Sequence, residues 1–294
     1  MSNAVQVSFE FFPPGDDATA GQLWAAIQRL APLHPNFVSV TYGADGSTRT
    51  RTHECVARIL RETDLVVAPH LTCVGAGREE VLRIARDYWR LGVRQIVALR
   101  GDVPHTQLSP TGRYEPYAGG FAFAADLVSG LAGVGNFDVS VAAYPEGHPE
   151  TGTVEADLEN LKRKVDAGAS RAITQFFFDT DAFLRYRDRC AALGLRVNIV
   201  PGILPITRFP QLLRFAARCG ATIPDWLHRR FDGLDDDAET RRMIAAHVAI
   251  EQVQRLRHHG VDEFHFYTLN RAELTYAICH AMGLRPVMRE AQVA

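Results

Sequence analysis

Eight short runs rich in valine, isoleucine, phenylalanine and threonine recur along the chain, and each is followed by at least one stretch of helical period. The runs are VQVSFEF (5–11), FVSVTY (37–42), VVAPHLTC (66–73), QIVAL (95–99), FDVSVAAY (137–144), RAITQFFF (171–178), RVNIVPGI (196–203) and EFHFYT (263–268). Helical patterns fall at about 19–31, 51–62, 77–91, 121–133, 153–167, 181–193, 208–219, 236–259 and 271–282. Strands separated by helices pair in parallel through right-handed crossovers, and eight is the number that closes into a barrel. The expected fold class is therefore α/β, a (β/α)8 TIM barrel, with an extra helical segment between helix seven and strand eight. In that segment the run Asp235 to Asp237 reads as the acidic start of a helix whose Ile244, Val248 and Val253 face the barrel. No linker-like shift in composition divides the 294 residues, so residues 1–294 are expected to form one catalytic domain.

A barrel of this kind gathers its chemistry at the C-terminal ends of its strands, where the following loops share one mouth. Polar or glycine residues stand at every such end: Glu10; Thr41 and Tyr42; His70 and Thr72; Arg100, Gly101 and Asp102; Tyr144, Glu146 and His148; Gln175; Asn198 and Gly202; Tyr267, Asn270 and Arg271. Each has a plainer reading. His70 sits in an apolar run and could be a core histidine bonded to a carbonyl, while Arg100 and Asp102 flank a glycine and could form a local ion pair.

Glu10, inside SFEFFPP, is harder to read as structural. Period-two alternation puts Val5, Val7, Phe9 and Phe11 on one face and Gln6, Ser8, Glu10 and Phe12 on the other. With the apolar face against the helices, Glu10 points into the upper barrel. Desolvation there is expected to raise its pKa and favour the protonated form that a general acid needs. The competing reading is a buried glutamate paired with an arginine or lysine. On the segment TVEADLENLKRKVDAGA a second polar stripe runs through Asp157, Asn160 and Lys164. It is either solvated surface or, at a barrel mouth, a place for an anionic group and a sugar hydroxyl.

Other classes of function find little support. A net charge of -2 offers no basic field for nucleic acid, and no segment is long and apolar enough to span a membrane. The N-terminus lacks a secretory pattern, and five scattered cysteines without a C-x-x-C pair suit buried thiols in the cytoplasm. No H-E-x-x-H, P-loop or G-x-S-x-G motif is present, no metal site is expected, and VGAGREE lacks the third glycine of a dinucleotide fingerprint. The sequence is also compatible with a homo-oligomer.

Taken in order, SFEFFPP, VSVTYGADGSTRTRT, PHLTC, ALRGD, VAAYPEGHPE, DLENLKRKVDAGASRAITQFFFD, PGILPI, FDGLDDDAET and GVDEFHFYTLNRAE resemble the methylenetetrahydrofolate reductases, from about residue 5 to 285. The resemblance implies a flavoprotein of one-carbon metabolism. FAD would sit non-covalently at the barrel mouth, take a hydride from NADH or NADPH, and pass it to 5,10-methylenetetrahydrofolate to give 5-methyltetrahydrofolate, the two substrates using one site in turn. By position it implies Glu10 as the general acid and Asp102 as the aspartate beside the flavin. It implies an FAD set of Tyr42, Ala44, His70, Arg100, Gly101, Asp102, Ala124, Tyr144, His148, Asp157, Asn160, Arg163 and Lys164. On the substrate side it implies Thr41, Gln175, Gln211, Phe215 and Arg271. Departures are Phe123, where relatives can have tyrosine, and a long loop at 103–120. The regulatory domain of eukaryotic members, which binds S-adenosylmethionine, is not expected here, nor is inhibition by that ligand. Two alternatives stay open: another FAD-binding barrel such as a proline dehydrogenase-like enzyme, and a non-catalytic folate- or flavin-binding protein.

Overall fold

The computed structural model describes residues 4–42, 49–102 and 114–287. Among them the strands are β1 (Gln6–Phe11), β2 (Phe37–Val40), β3 (Val67–Thr72), β4 (Gln95–Leu99), β5 (Asp138–Ala143), β6 (Arg171–Thr174), β7 (Asn198–Val200), β8 (Gly202–Ile203) and β9 (Glu263–Tyr267). They form a single sheet in the order β7-β6-β5-β4-β3-β2-β1-β9-β8, and every paired neighbour is parallel. The helices are α1 (Asp17–Leu30), α2 (Arg49–Glu62), α3 (Arg78–Arg90), α4 (Ala124–Leu131), α5 (Val154–Asp166), α6 (Thr180–Ala192), α7 (Phe209–Cys219), α8 (Asp225–Phe231), α9 (Ala238–His258) and α10 (Glu273–Ala281). This is the expected TIM-barrel-like α/β fold.

One run differs from the sequence expectation. The seventh is divided at Pro201, which has no N–H to give to a ladder. On one side of it β7 pairs with β6, on the other β8 pairs with β9, and the Pro201 carbonyl accepts the His265 N–H at 3.0 Å. Eight strand positions thus become nine strands, and the ring closes through a segment that changes partner at one proline. Gly202 permits the close approach that follows, since a β-carbon there would lie 2.2 Å from the Thr174 carbonyl oxygen.

Alternation in β1 resolves as the sequence implies. Val7, Phe9 and Phe11 pack outward into the core shared with the helices, while Ser8 and Glu10 are buried inside the barrel. Phe37, Ala68, Val97 and Ile173 form an apolar layer of their own. Arg171 reaches Glu263 at 3.1 Å, Asp138 at 3.3 Å and Ser140 at 3.2 Å, so this half-buried guanidinium is paired and hydrogen-bonded, as a charge largely removed from water must be. The helical insertion covers a second core that contains Phe176, Leu212, Leu227, Phe231 and Val248. Asp237 caps α9 by accepting the Thr240 N–H at 2.9 Å, and along that helix Val248 and Val253 are buried with Ile244 partly so. No helix among the described residues is long and apolar enough to cross a membrane.

Candidate active site

Strand β1 ends at Phe11, and backbone contacts fix the residues on either side of that end. The Glu10 carbonyl accepts both the hydroxyl and the N–H of Thr268, at 2.6 and 3.3 Å. The Asn270 side chain clamps Phe12, accepting its N–H at 2.8 Å and donating to its carbonyl at 3.0 Å. Asn270 holds a left-handed backbone, φ 56°, a conformation that asparagine tolerates better than most residues. The loop after β9 therefore holds the tip of β1 in place.

The Glu10 side chain points inward, as alternation predicts, but its partners are imidazoles, not an arginine or lysine. Oε2 lies 3.3 Å from His70 Nε2 and 3.6 Å from His265 Nε2. His265 Nδ1 is 2.8 Å from Ser8 Oγ, so the serine can donate to Nδ1 while Nε2 carries the proton that faces Glu10. Strands β1, β3 and β9 each supply a member of this cluster. His70 is accordingly no core histidine bonded to a carbonyl; its Nε2 is aimed at the carboxylate.

This corrects the expected protonation of Glu10. Burial does push its carboxyl upward, but the hydrogen bonds and charge of His265 and His70 outweigh it and bring the pKa from 4.5 down to about 2. The isolated group is thus held ionised, and a proton for chemistry belongs to the carboxylate and its imidazoles together.

The residues after β4 show a different arrangement from the local ion pair considered above. Arg100 pairs with Glu150, at 2.5 and 2.8 Å through both terminal nitrogens, and its guanidinium lies 4.9 Å from the centre of the Tyr114 ring. Asp102 is exposed and has no ion-pair partner among the described residues. Gly101, at φ 95°, sits so close to the preceding loop that a β-carbon would lie 2.7 Å from Val74 Cγ1 and 2.9 Å from Thr72 Cβ.

Along the wall made by β5 and α5, Tyr144 and His148 meet edge to face with ring centres 4.7 Å apart. Asp157 is buried and accepts the His148 N–H and, at 2.9 Å, the Thr151 hydroxyl, which pins the loop after β5. Lys164 donates to the Ala142 carbonyl at 2.8 Å, and burial brings its amine down to about 8. Asn160 is half-buried and Arg163 exposed on the same helix, and Ala124 opens α4. The stripe at 157, 160 and 164 is therefore not a fully solvated face. Phe123, just before α4, is exposed with its ring 5.9 Å from that of Tyr114. Tyr42 is half-buried beyond β2; Ala44 and the loop residues 103–113 lie outside the described residues.

On the substrate side, Thr41 is half-buried and donates its N–H to the Phe11 carbonyl at 2.9 Å. Gln175 follows β6, its N–H bound to the Ala143 carbonyl at 2.8 Å. Gln211 and Phe215 are half-buried on α7, one turn apart, and Arg271 is exposed just before α10. Sequence reasoning missed His265, Ser8 and Glu150 as site residues. The first two were within reach, because the alternation that turned Glu10 inward also turns Ser8 inward and separates His265 from Phe264 and Phe266.

The family model for methylenetetrahydrofolate reductase matches residues 1–283. The 5,10-methylenetetrahydrofolate reductases of Salmonella typhimurium and Escherichia coli are each 54% identical over 286 residues, covering 97% of this chain and 93% of theirs. Methylenetetrahydrofolate reductase (NADH) 1 of Arabidopsis thaliana is 35% identical over 94% of this chain and 48% of its own length. Among solved structures, a Clostridium thermocellum protein that binds two copies of 5-methyl-5,6,7,8-tetrahydrofolic acid has a similar fold, with a TM-score of 0.65 at 14% identity over 96% of this chain and 94% of that one.

Proposed function

The chain belongs to the methylenetetrahydrofolate reductase family, and from that premise we propose that it reduces 5,10-methylenetetrahydrofolate to 5-methyltetrahydrofolate with a hydride drawn from NADH or NADPH through bound FAD. The observation that carries this is Glu10, buried at the mouth between two imidazoles in a chain matched by the family over nearly its whole length. Neither a proline dehydrogenase-like enzyme nor a non-catalytic binding protein accounts for that match.

The residues at the mouth fit FAD. Gly101 lets the backbone after β4 pack directly against Val74 and Thr72, and Lys164 and Arg163 offer positive charge beside the polar Asn160. Arg100, Gly101, Asp102, Ala124, Tyr144 and His148, with His70, Tyr42 and Ala44, complete the cofactor set. When bound, FAD supplies the hydride chemistry between nicotinamide and folate.

The chain's own groups handle the proton and the charge. Glu10, with His70 and His265, delivers a proton to the folate nitrogen whose release opens the five-membered ring and leaves a cationic iminium. Asp102, a carboxylate without an ion-pair partner among the described residues, stabilises that cation. Gln175 binds folate and nicotinamide in turn, Phe215 stacks on them, and Thr41, Gln211 and Arg271 hold the folate.

Initial rates measured while both substrates are varied test this. Parallel double-reciprocal lines are expected, because one site serves both substrates in turn. Intersecting lines would require both to be bound at once and would overturn the shared site.

A further inference from the structure

The loop between β5 and α5 carries a glutamate to which the proposed reaction gives no part. Glu150 is exposed, yet its carboxylate takes both terminal nitrogens of Arg100, at 2.5 and 2.8 Å, from the loop after β4. An exposed ion pair is ordinarily worth little. Here the guanidinium is half-buried, its Nε–H is directed to the Gly101 carbonyl at 3.3 Å, and the group lies 4.9 Å from the centre of the Tyr114 ring. The arginine fork is thereby held from three directions, and the two-armed bond to Glu150 fixes its plane.

The main chain of Glu150 acts on a second residue. Its N–H donates to His148 Nδ1 at 3.1 Å. An amide N–H can only donate, so Nδ1 carries a lone pair and the neutral ring must hold its proton on Nε2. Burial lowers the pKa of this ring from the ordinary histidine value, which favours the neutral form. Nε2 has no hydrogen-bond partner among the described residues, so it is a donor in want of an acceptor. The loop keeps this geometry by its own bonds, for the His148 carbonyl accepts the N–H groups of Thr151 and Gly152 at 3.0 and 3.1 Å.

We propose that Glu150 is a positioning residue for the cofactor, holding the Arg100 fork through its carboxylate and fixing His148 as an Nε2–H donor through its main chain. Arg100 and His148 belong to the proposed FAD set, so the inference rests on that reading and extends it to a residue outside the set. A free arginine would surrender side-chain entropy when FAD binds, and an imidazole free to change tautomer would present a lone pair part of the time.

FAD titrated into the flavin-free full chain, followed by the quenching of its fluorescence, tests the carboxylate's part. Glu150→Gln keeps the N–H but loses the charge and one arm of the fork. It is expected to bind FAD about tenfold more weakly, the order of loss seen when a group that orients a ligating side chain is removed. In an Arg100→Gln background the same change should have almost no further effect, because Glu150 acts through Arg100. Nitrogen NMR of the chain labelled at histidine, with His148→Gln identifying the resonances, should show Nδ1 bare and Nε2 protonated in both the parent and Glu150→Gln. A Glu150→Gln chain that binds FAD as well as the parent, or better, would overturn the proposal; tighter binding would make Glu150 a competitor for Arg100. Equal losses in both backgrounds would overturn it as well, by reducing Glu150 to a support of its own loop. A proton on Nδ1 would overturn the assignment of His148. A parent chain that takes up no FAD would instead overturn the cofactor reading, and the positioning role with it.

Discussion

His70 Nε2 lies 3.3 Å from Glu10 Oε2, and His265 Nε2 approaches the same oxygen from the opposite neighbouring strand at 3.6 Å. Two imidazoles on one buried carboxylate make a unit that can hold and pass a proton. This relationship determines what changes at Glu10 should do.

Replacing Glu10 by Gln should leave flavin reduction by nicotinamide largely intact and slow the folate half-reaction by about a hundredfold or more, the usual worth of a positioned acid. Stopped-flow absorbance separates the two half-reactions. Both proceeding at the parental rate would remove Glu10 from the chemistry.

Acid stability follows from the same cluster. Burial raises the Glu10 carboxyl, yet the imidazoles bring it to about 2 from 4.5. Because the folded-state value is the lower one, the unfolded chain takes up the proton first. The stabilisation is complete above the unfolded value and is lost as the pH falls toward the folded one. Denaturant unfolding at pH values from about 5 down to about 3 should show the parent losing stability more steeply than Glu10→Gln. Equal slopes would contradict the depressed value.

Asp102→Asn should raise the potential of the bound flavin, because the negative charge that opposes an anionic reduced flavin is gone. Flavin reduction should then gain relative to folate reduction. An unchanged midpoint in a redox titration would count against an electrostatic role for this exposed carboxylate.

Gly101→Ala combines a positive φ of 95° with a β-carbon 2.7 Å from Val74. Strain and overpacking together should cost about 2 to 5 kcal/mol and reduce flavin content on purification. A change within about 0.5 kcal/mol by urea unfolding would mean the loop rearranges freely.

Much of this was legible in the sequence, for physical reasons. Period-two alternation placed Phe9 outward and Glu10 inward because one face of a barrel strand must meet helices. The division at Pro201 was not legible, since local pattern says where a strand is but not which neighbour it pairs with on each side of a proline. The ionisation of Glu10 was misjudged for a related reason. Desolvation can be inferred from one strand, whereas His70 and His265 reach the carboxylate only through sheet register. Arg100 likewise pairs with Glu150 across two loops, not with Asp102 next to Gly101.

The central claim, that one barrel mouth passes a hydride from nicotinamide to folate, is tested most directly by anaerobic spectroscopy of the flavin-loaded protein. NADH or NADPH should bleach the flavin, and 5,10-methylenetetrahydrofolate added afterwards should restore its colour with one 5-methyltetrahydrofolate formed per flavin. A flavin that neither nicotinamide bleaches, or a reduced flavin that the folate never reoxidises, would contradict the account.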